Sequence, residues 1–196
     1  MANTQDDLNT DQSATTVYRS MFEMENRLLK EKDIKRLLNT AMDMAIRISG
    51  AERAWLSILK PGSNEIMYQA FKNIQKKDIE QPEFEINRTI IENVKRDRNP
   101  VCLQNSQDGM ELKQDKDIKK FQPLSVICIP LLQDKNIFGI VYLDNHTGAS
   151  VFKAETFAFI KEFADFISTA VYNLLEEKQL KTLVANIGKA IVKKRK

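Results

Sequence analysis

The chain has 196 residues, 42% of them hydrophobic and 29% charged, with a formal net charge of +3. Those figures suit one soluble domain with a real core and helical extensions, and exclude wholesale disorder, a collagen repeat and a disulfide framework. The longest unbroken apolar stretch, Val126 to Leu132, holds seven residues including Pro130, against the roughly twenty needed to span a bilayer. The N-terminus lacks the basic start and apolar centre of a secretory signal, which predicts a cytoplasmic protein. Residues 1–18 carry three acids and no base, and residues 189–196 carry five bases and no acid. The body is therefore near neutral, without the basic footprint of a nucleic-acid-binding domain, and the tail reads as a solvated basic cluster.

Residues 1–16 have no apolar periodicity and are expected to form a flexible arm. A single domain is expected over 17–180, followed by a helix extension and basic tail over 181–196. Val17, Met21, Met24 and Leu28 follow a helical stripe. Asp33 can cap a second stretch carrying Ile34, Leu37, Leu38, Ala41, Met42, Ala45 and Ile48, and Gly50 ends it. The helix should bend near residues 31–33.

The alternating run from Arg53, the turn cluster Pro61-Gly62-Ser63-Asn64 and the run from Glu65 to Phe71 predict a β-hairpin. Residues 73–87 read as loop. Thr89 to Arg98 predict a short amphipathic helix stopped by Asn99-Pro100, and Val101-Cys-Leu a short strand. Residues 104–122 are a polar excursion. The strongest strand signal runs from Leu124 to Leu132, turns at Gln133-Asp-Lys-Asn and returns from Ile137 to Asp144. From Lys153 the pattern becomes helical, on a face that runs from Phe157 to Leu175 and continues through Leu180, Leu183, Val184, Ile187 and Ile191. Strands bracketed by two terminal helices imply an α+β fold.

Together, Ser125-Val-Ile-Cys-Ile-Pro-Leu, Ile137-Phe-Gly-Ile-Val-Tyr-Leu-Asp-Asn, Phe152-Lys-Ala-Glu155 and Phe163-Ala-Asp-Phe-Ile-Ser-Thr-Ala-Val-Tyr-Asn173 resemble the GAF sensory domain family, from Leu28 to Leu180. The resemblance implies a profilin-like central antiparallel sheet with both terminal helices packed on one face. It implies a small-molecule pocket on the other face, under the excursion at 73–123. It also implies a non-enzymatic regulatory role in signal transduction or transcriptional regulation. Members bind cyclic nucleotides, tetrapyrroles or haem, or bind nothing and dimerise, so the cofactor is unknown. Phe152 is followed after three residues by Thr156-Phe157 rather than the Asp-Glu of cyclic-nucleotide members, and residues 104–123 hold no Cys-His pair for a bilin. A free methionine-R-sulfoxide reductase-like thiol enzyme and a ligand-free dimerisation scaffold are the alternatives.

Strand alternation assigns Gly139, Val141 and Leu143 to the helix face, suited to close helix packing. It assigns Phe138, Ile140, Tyr142 and Asp144 to the pocket face. Trp55 and Ser57 share a face opposite Ala54, Leu56 and Ile58. Trp55, Ser57 and Tyr142 thus become candidate ligand-binding residues, aromatic walls with a few polar groups. Thr89, Ile118 and Phe121 join them because their segments should cover the pocket. Catalytic and metal residues are expected to be absent, since His146 is the sole histidine and no ligand spacing surrounds it. Cys102 and Cys128 lie on segments that would be neighbouring strands, where they could form a reversible thiol pair. The expected partners are a small ligand and a second copy of the chain, with neither nucleic acid nor membrane.

Overall fold

The computed structural model describes residues 26–75, 77, 85–104, 124–149 and 151–194. The expected arm and the covering residues Ile118 and Phe121 lie outside these described residues. Residues 26–30 are helical, and the chain then breaks before α1 (Ile34–Ser49). The break has a cause: extended Asp33 accepts a hydrogen bond from the Arg36 amide at 3.0 Å, which starts a new helix. Gly50 ends α1 in the left-handed conformation at φ 70°, its amide donating to the Ile46 carbonyl.

The hairpin forms as β1 (Arg53–Leu59) and β2 (Ile66–Lys72). Helix α2 (Glu85–Asp97) begins four residues before the sequence expectation of Thr89, because Glu85 to Arg88 offer nothing to stop a helix from growing backwards. Three further strands follow, β3 (Val101–Leu103), β4 (Ser125–Gln133) and β5 (Asn136–Asn145), and then α3 (Ala154–Lys194), a single helix of 41 residues.

The strands form one antiparallel sheet in the order β2-β1-β5-β4-β3. The innermost strands, β1, β5 and β4, are the most apolar and are buried on both faces. The edges are the partly exposed β2 and the three-residue β3, short or polar enough to resist further pairing.

Both terminal helices cover the same face, as expected. Leu37, Leu38, Ala41 and Met42 of α1 and Ile160, Phe163, Ile167 and Val171 of α3 pack there against Leu56, Ile58, Ile127, Leu131, Val141 and Leu143. The opposite face carries a smaller apolar cluster, in which Ile90, Ile91 and Val94 of α2 cover Trp55, Val126, Cys128, Ile140 and Tyr142.

Two expectations about β5 need correction. Phe138 was assigned to the pocket face, but it packs on the helix side, edge-on to Tyr172 of α3 at 6.2 Å between ring centres. The reason is an irregularity in the β4–β5 ladder: Leu131 opposes Gly139 while Leu132 opposes Ile137, so Phe138 is the extra residue and parity flips across it. Gly139 was expected to admit a helix. Instead a Cβ there would come within 2.6 Å of the Ser57 carbonyl oxygen and 2.9 Å of Leu131, so the missing side chain lets β1 and β5 pair beside the bulge.

Candidate functional site

Alternation along β1 and β5 builds the face away from the terminal helices. Trp55 pairs with Tyr142 and Ser57 with Ile140 in the ladder, so Trp55, Ser57 and Tyr142 stand on that face as the sequence implied. All three are buried. Trp55 stacks in parallel on Phe71 of β2, with ring centres 6.3 Å apart. Its indole N–H, in a residue only 6% exposed, has no hydrogen-bond acceptor among the described residues. A buried donor left unsatisfied costs about 1–3 kcal/mol. Thr89 is exposed on α2, while its neighbours Ile90 and Ile91 turn to the sheet.

The same face ends at Asp144, which alternation assigned to it, in an ion pair that the sequence did not disclose. Asp144 is fully buried and receives both prongs of the Arg53 guanidinium, Nε to Oδ1 at 2.8 Å and Nη2 to Oδ2 at 2.5 Å. The Tyr142 hydroxyl donates to Asp144 Oδ2 at 2.8 Å. Burial, and then the adjacent carboxylate, push the Tyr142 phenol well above its ordinary pKa, which keeps it a hydrogen-bond donor. His146 continues the network: its Nδ1 lies 3.7 Å from Asp144 Oδ1, and its amide donates to Glu52 Oε2 at 2.9 Å. The signal was present, since Arg53 and Asp144 occupy the same face of paired strands, but charge at a strand end reads as solvated until its partner is known.

Lys95 is a second omission. It follows Ile91 by one helical turn, its side chain is 17% exposed beside Glu92, and it is close enough to influence the Cys128 thiol. Trp55, Tyr142, Cys128 and Lys95 thus bring an indole donor, a phenol, a thiol and an ammonium group to one side of the sheet.

The thiol-pair expectation is overturned. Val101, not Cys102, opposes Cys128, while Cys102 opposes Ile127. Adjacent positions on a strand point to opposite faces. Cys128 lies among the α2-side residues, and Cys102 packs against the core of the terminal helices. The sheet therefore stands between the sulfurs. Burial raises both thiol pKa values, that of Cys128 strongly, which suppresses the thiolate that redox chemistry needs. Among the described residues no cluster of three or more His, Cys, Asp or Glu is placed to hold a metal. No helix among them is long and apolar enough to cross a membrane.

A groove of about 460 Å³ lies elsewhere, at the hairpin ends beside α3, lined by Leu59, Met67, Ile137, Phe138, Tyr172 and Leu175 among others. It shares Glu176 and Gln179 with a second groove that runs along α3 past Leu180 and Leu183.

Comparison with known proteins places this architecture. The GAF domain of a phosphoenolpyruvate-protein phosphotransferase from Coxiella burnetii superposes with a TM-score of 0.65 at 13% identity, covering 85% of this chain and 98% of that one. A methyl-accepting chemotaxis protein superposes with a TM-score of 0.60 at 16% identity, covering 77% and 96%. At these identities the likeness is one of fold. In sequence, hybrid signal transduction histidine kinase G of Dictyostelium discoideum is 25% identical over 85 residues, which are 43% of this chain and 2% of that relative. The GAF domain family model matches residues 33–171, well over half of the sequence. With its five-stranded antiparallel sheet, paired terminal helices and separate covered face, the chain belongs to the GAF domain family.

Proposed function

We propose that this chain is a cytoplasmic, non-enzymatic sensory module, which binds a small molecule on the sheet face away from the terminal helices and dimerises through those helices. Trp55, Ser57 and Tyr142 form the floor of the proposed site, and Thr89 stands at its rim. Occupancy would shift helix packing if the ligand binds two helix arrangements with different affinity. The observation that carries the reading is the buried indole N–H of Trp55, which lacks an acceptor among the described residues on a face where α2 covers Tyr142, Cys128 and Ile140. A ligand with a carbonyl, ring nitrogen or carboxylate acceptor would satisfy it. The likeness in sequence to a histidine kinase and in fold to a chemotaxis protein supports a place in signal transduction. The separation of Cys102 and Cys128 by the sheet argues against the thiol-enzyme alternative.

Trp55 is the only tryptophan, so its emission reports on the proposed site directly. Native mass spectrometry of the purified full chain is expected to show a retained small molecule. Titration of the emptied protein with cyclic GMP, cyclic AMP, biliverdin and haemin then tests known GAF ligand classes through Trp55 fluorescence. For whichever molecule binds, Trp55→Phe keeps an aromatic face but removes the donor with half of the indole, so affinity measured by calorimetry should fall at least about threefold, the worth of one hydrogen bond. An empty chain whose fluorescence ignores all four probes would replace this reading with the ligand-free scaffold.

A further inference from the structure

The groove at the hairpin ends has a chemistry of its own. Tyr172, Leu175, Glu176 and Gln179 line it from α3 at i, i+3, i+4 and i+7, one stripe of a helix. The β4–β5 turn borders it at Asp134. Asp134 and Lys135 both have positive φ, 49° and 66°, the geometry of a two-residue hairpin turn, so Asp134 stands on a short, stiff connection. The bulge in β5 brings Phe138 to the same place, edge-on to Tyr172. Two carboxylates thus meet an aromatic wall. Their convergence is visible at Tyr172, whose phenol is held above its ordinary pKa by its hydrogen bond to Glu176 and, more weakly, by the charge of Asp134.

Charge and shape together select the occupant. Neither Asp134 nor Glu176 forms a salt bridge among the described residues, whereas neighbouring Glu177 is tied to Lys181 at 2.7 Å and Lys32 at 3.2 Å. The chain has 30 Lys and Arg against 27 Asp and Glu, yet no Lys, Arg or His lines the groove. Lys60, beside Pro61 in sequence, is engaged by Glu65. Two uncompensated carboxylates repel an anion and attract a cation, and the faces of tyrosine and phenylalanine rings attract it further. Leu59 and Met67 supply apolar surface for the rest of the molecule, methionine adapting to an irregular outline. The volume of about 460 Å³ is that of a small-molecule site. We infer that this groove is a second binding site, which takes a small organic cation: an ammonium group joined to a compact aromatic or aliphatic body. The ammonium group lies between Asp134 and Glu176 against Tyr172, and the body lies against Phe138, Leu59 and Met67. The site is independent of the one proposed at Trp55, which is four residues along β1 from Leu59, about 13 Å.

The test uses the full chain with isotope-labelled methionine methyl groups and benzyltrimethylammonium as the probe. The Met67 methyl signal, assigned through Met67→Leu, is expected to shift on titration while Trp55 emission stays constant. Benzyl alcohol and benzoate, a neutral and an anionic counterpart, should bind at least about fivefold more weakly. Asp134→Asn with Glu176→Gln changes two exposed side chains and should weaken the probe about three- to tenfold. Tyr172→Leu should weaken it about two- to fivefold. Equal affinity for all three probes, or for the double variant and the unsubstituted chain, refutes selection by charge. A probe that moves Trp55 emission and leaves Met67 unmoved places the cation in the other site and refutes this one. A Met67 signal that follows protein concentration instead of the probe makes a second copy of the chain the occupant. Indifference of Met67 to the probe at millimolar concentration refutes the site outright.

Discussion

The buried Arg53–Asp144 pair makes the sharpest energetic prediction. Asp144 is fully buried, Arg53 is 21% exposed at its side chain, and the carboxylate accepts three hydrogen bonds, two from the guanidinium and one from Tyr142. Asp144→Ala leaves a largely buried cation without its counter-charge and the Tyr142 hydroxyl without its acceptor, so it should cost about 3–5 kcal/mol of folding stability. Arg53→Met removes the cation but strands the carboxylate, with Tyr142 as its remaining close donor, and belongs in the same range. The double variant leaves no unpaired charge. Its cost should fall short of the sum of the singles by about 2–3 kcal/mol, the coupling expected of groups in one network. For a chain of this length each kcal/mol moves the melting temperature by about 2–4 °C, so each single variant should melt roughly 6–20 °C lower. Urea titrations followed through Trp55, whose ladder partner is Tyr142, measure all four corners of the cycle. A cost below about 1 kcal/mol for Asp144→Ala, or additive singles, would show that water reaches the pair and that burial is not what makes it matter.

Two further outcomes follow from geometry. Gly139→Ala should cost about 1–3 kcal/mol, because its new methyl group would sit 2.6 Å from the Ser57 carbonyl, a backbone atom that cannot swing aside; an unchanged melting temperature would mean the bulge relaxes freely. A disulfide reagent at pH 8 should modify half-buried Cys102 slowly and Cys128 only after denaturant is added, since burial both shields the Cys128 sulfur and raises its pKa. Equal, rapid modification of both would contradict the burial of Cys128.

Period-two and period-3.6 patterns were enough to read the strands and both terminal helices, because the hydrophobic residues of Leu56 to Ile58, Ile127 to Leu131 and Ile34 to Ala45 are buried as their spacing demands. The legible part ended where one residue changed parity. Nothing in Ile137-Phe-Gly announces that Phe138 is a bulge, because a bulge is a property of two paired strands rather than of one. The thiol pair failed for the same reason: Cys102 and Cys128 are on adjacent strands, but their faces depend on a register offset of one residue. Alternation placed Trp55, Ser57, Tyr142 and Asp144 on the face away from the terminal helices, where the ladder has them. The Arg53–Asp144 ion pair was not legible, because a charged residue's cost depends on what it meets across the sheet.

The continuity of α3 has a mechanical consequence. Its first half is clamped to the sheet by Ile160, Phe163, Ile167 and Val171, while the stretch from Leu180 to Ile191 projects beyond the fold without a break in the same helix. An unbroken helix is a stiff lever. A tilt of about 10° at Val171 swings Ile191 through about 5 Å, given roughly 30 Å of arm at 1.5 Å per residue. That exceeds the width of a methyl group, so a repacking too small to alter the sheet becomes a displacement large enough to read at the tip.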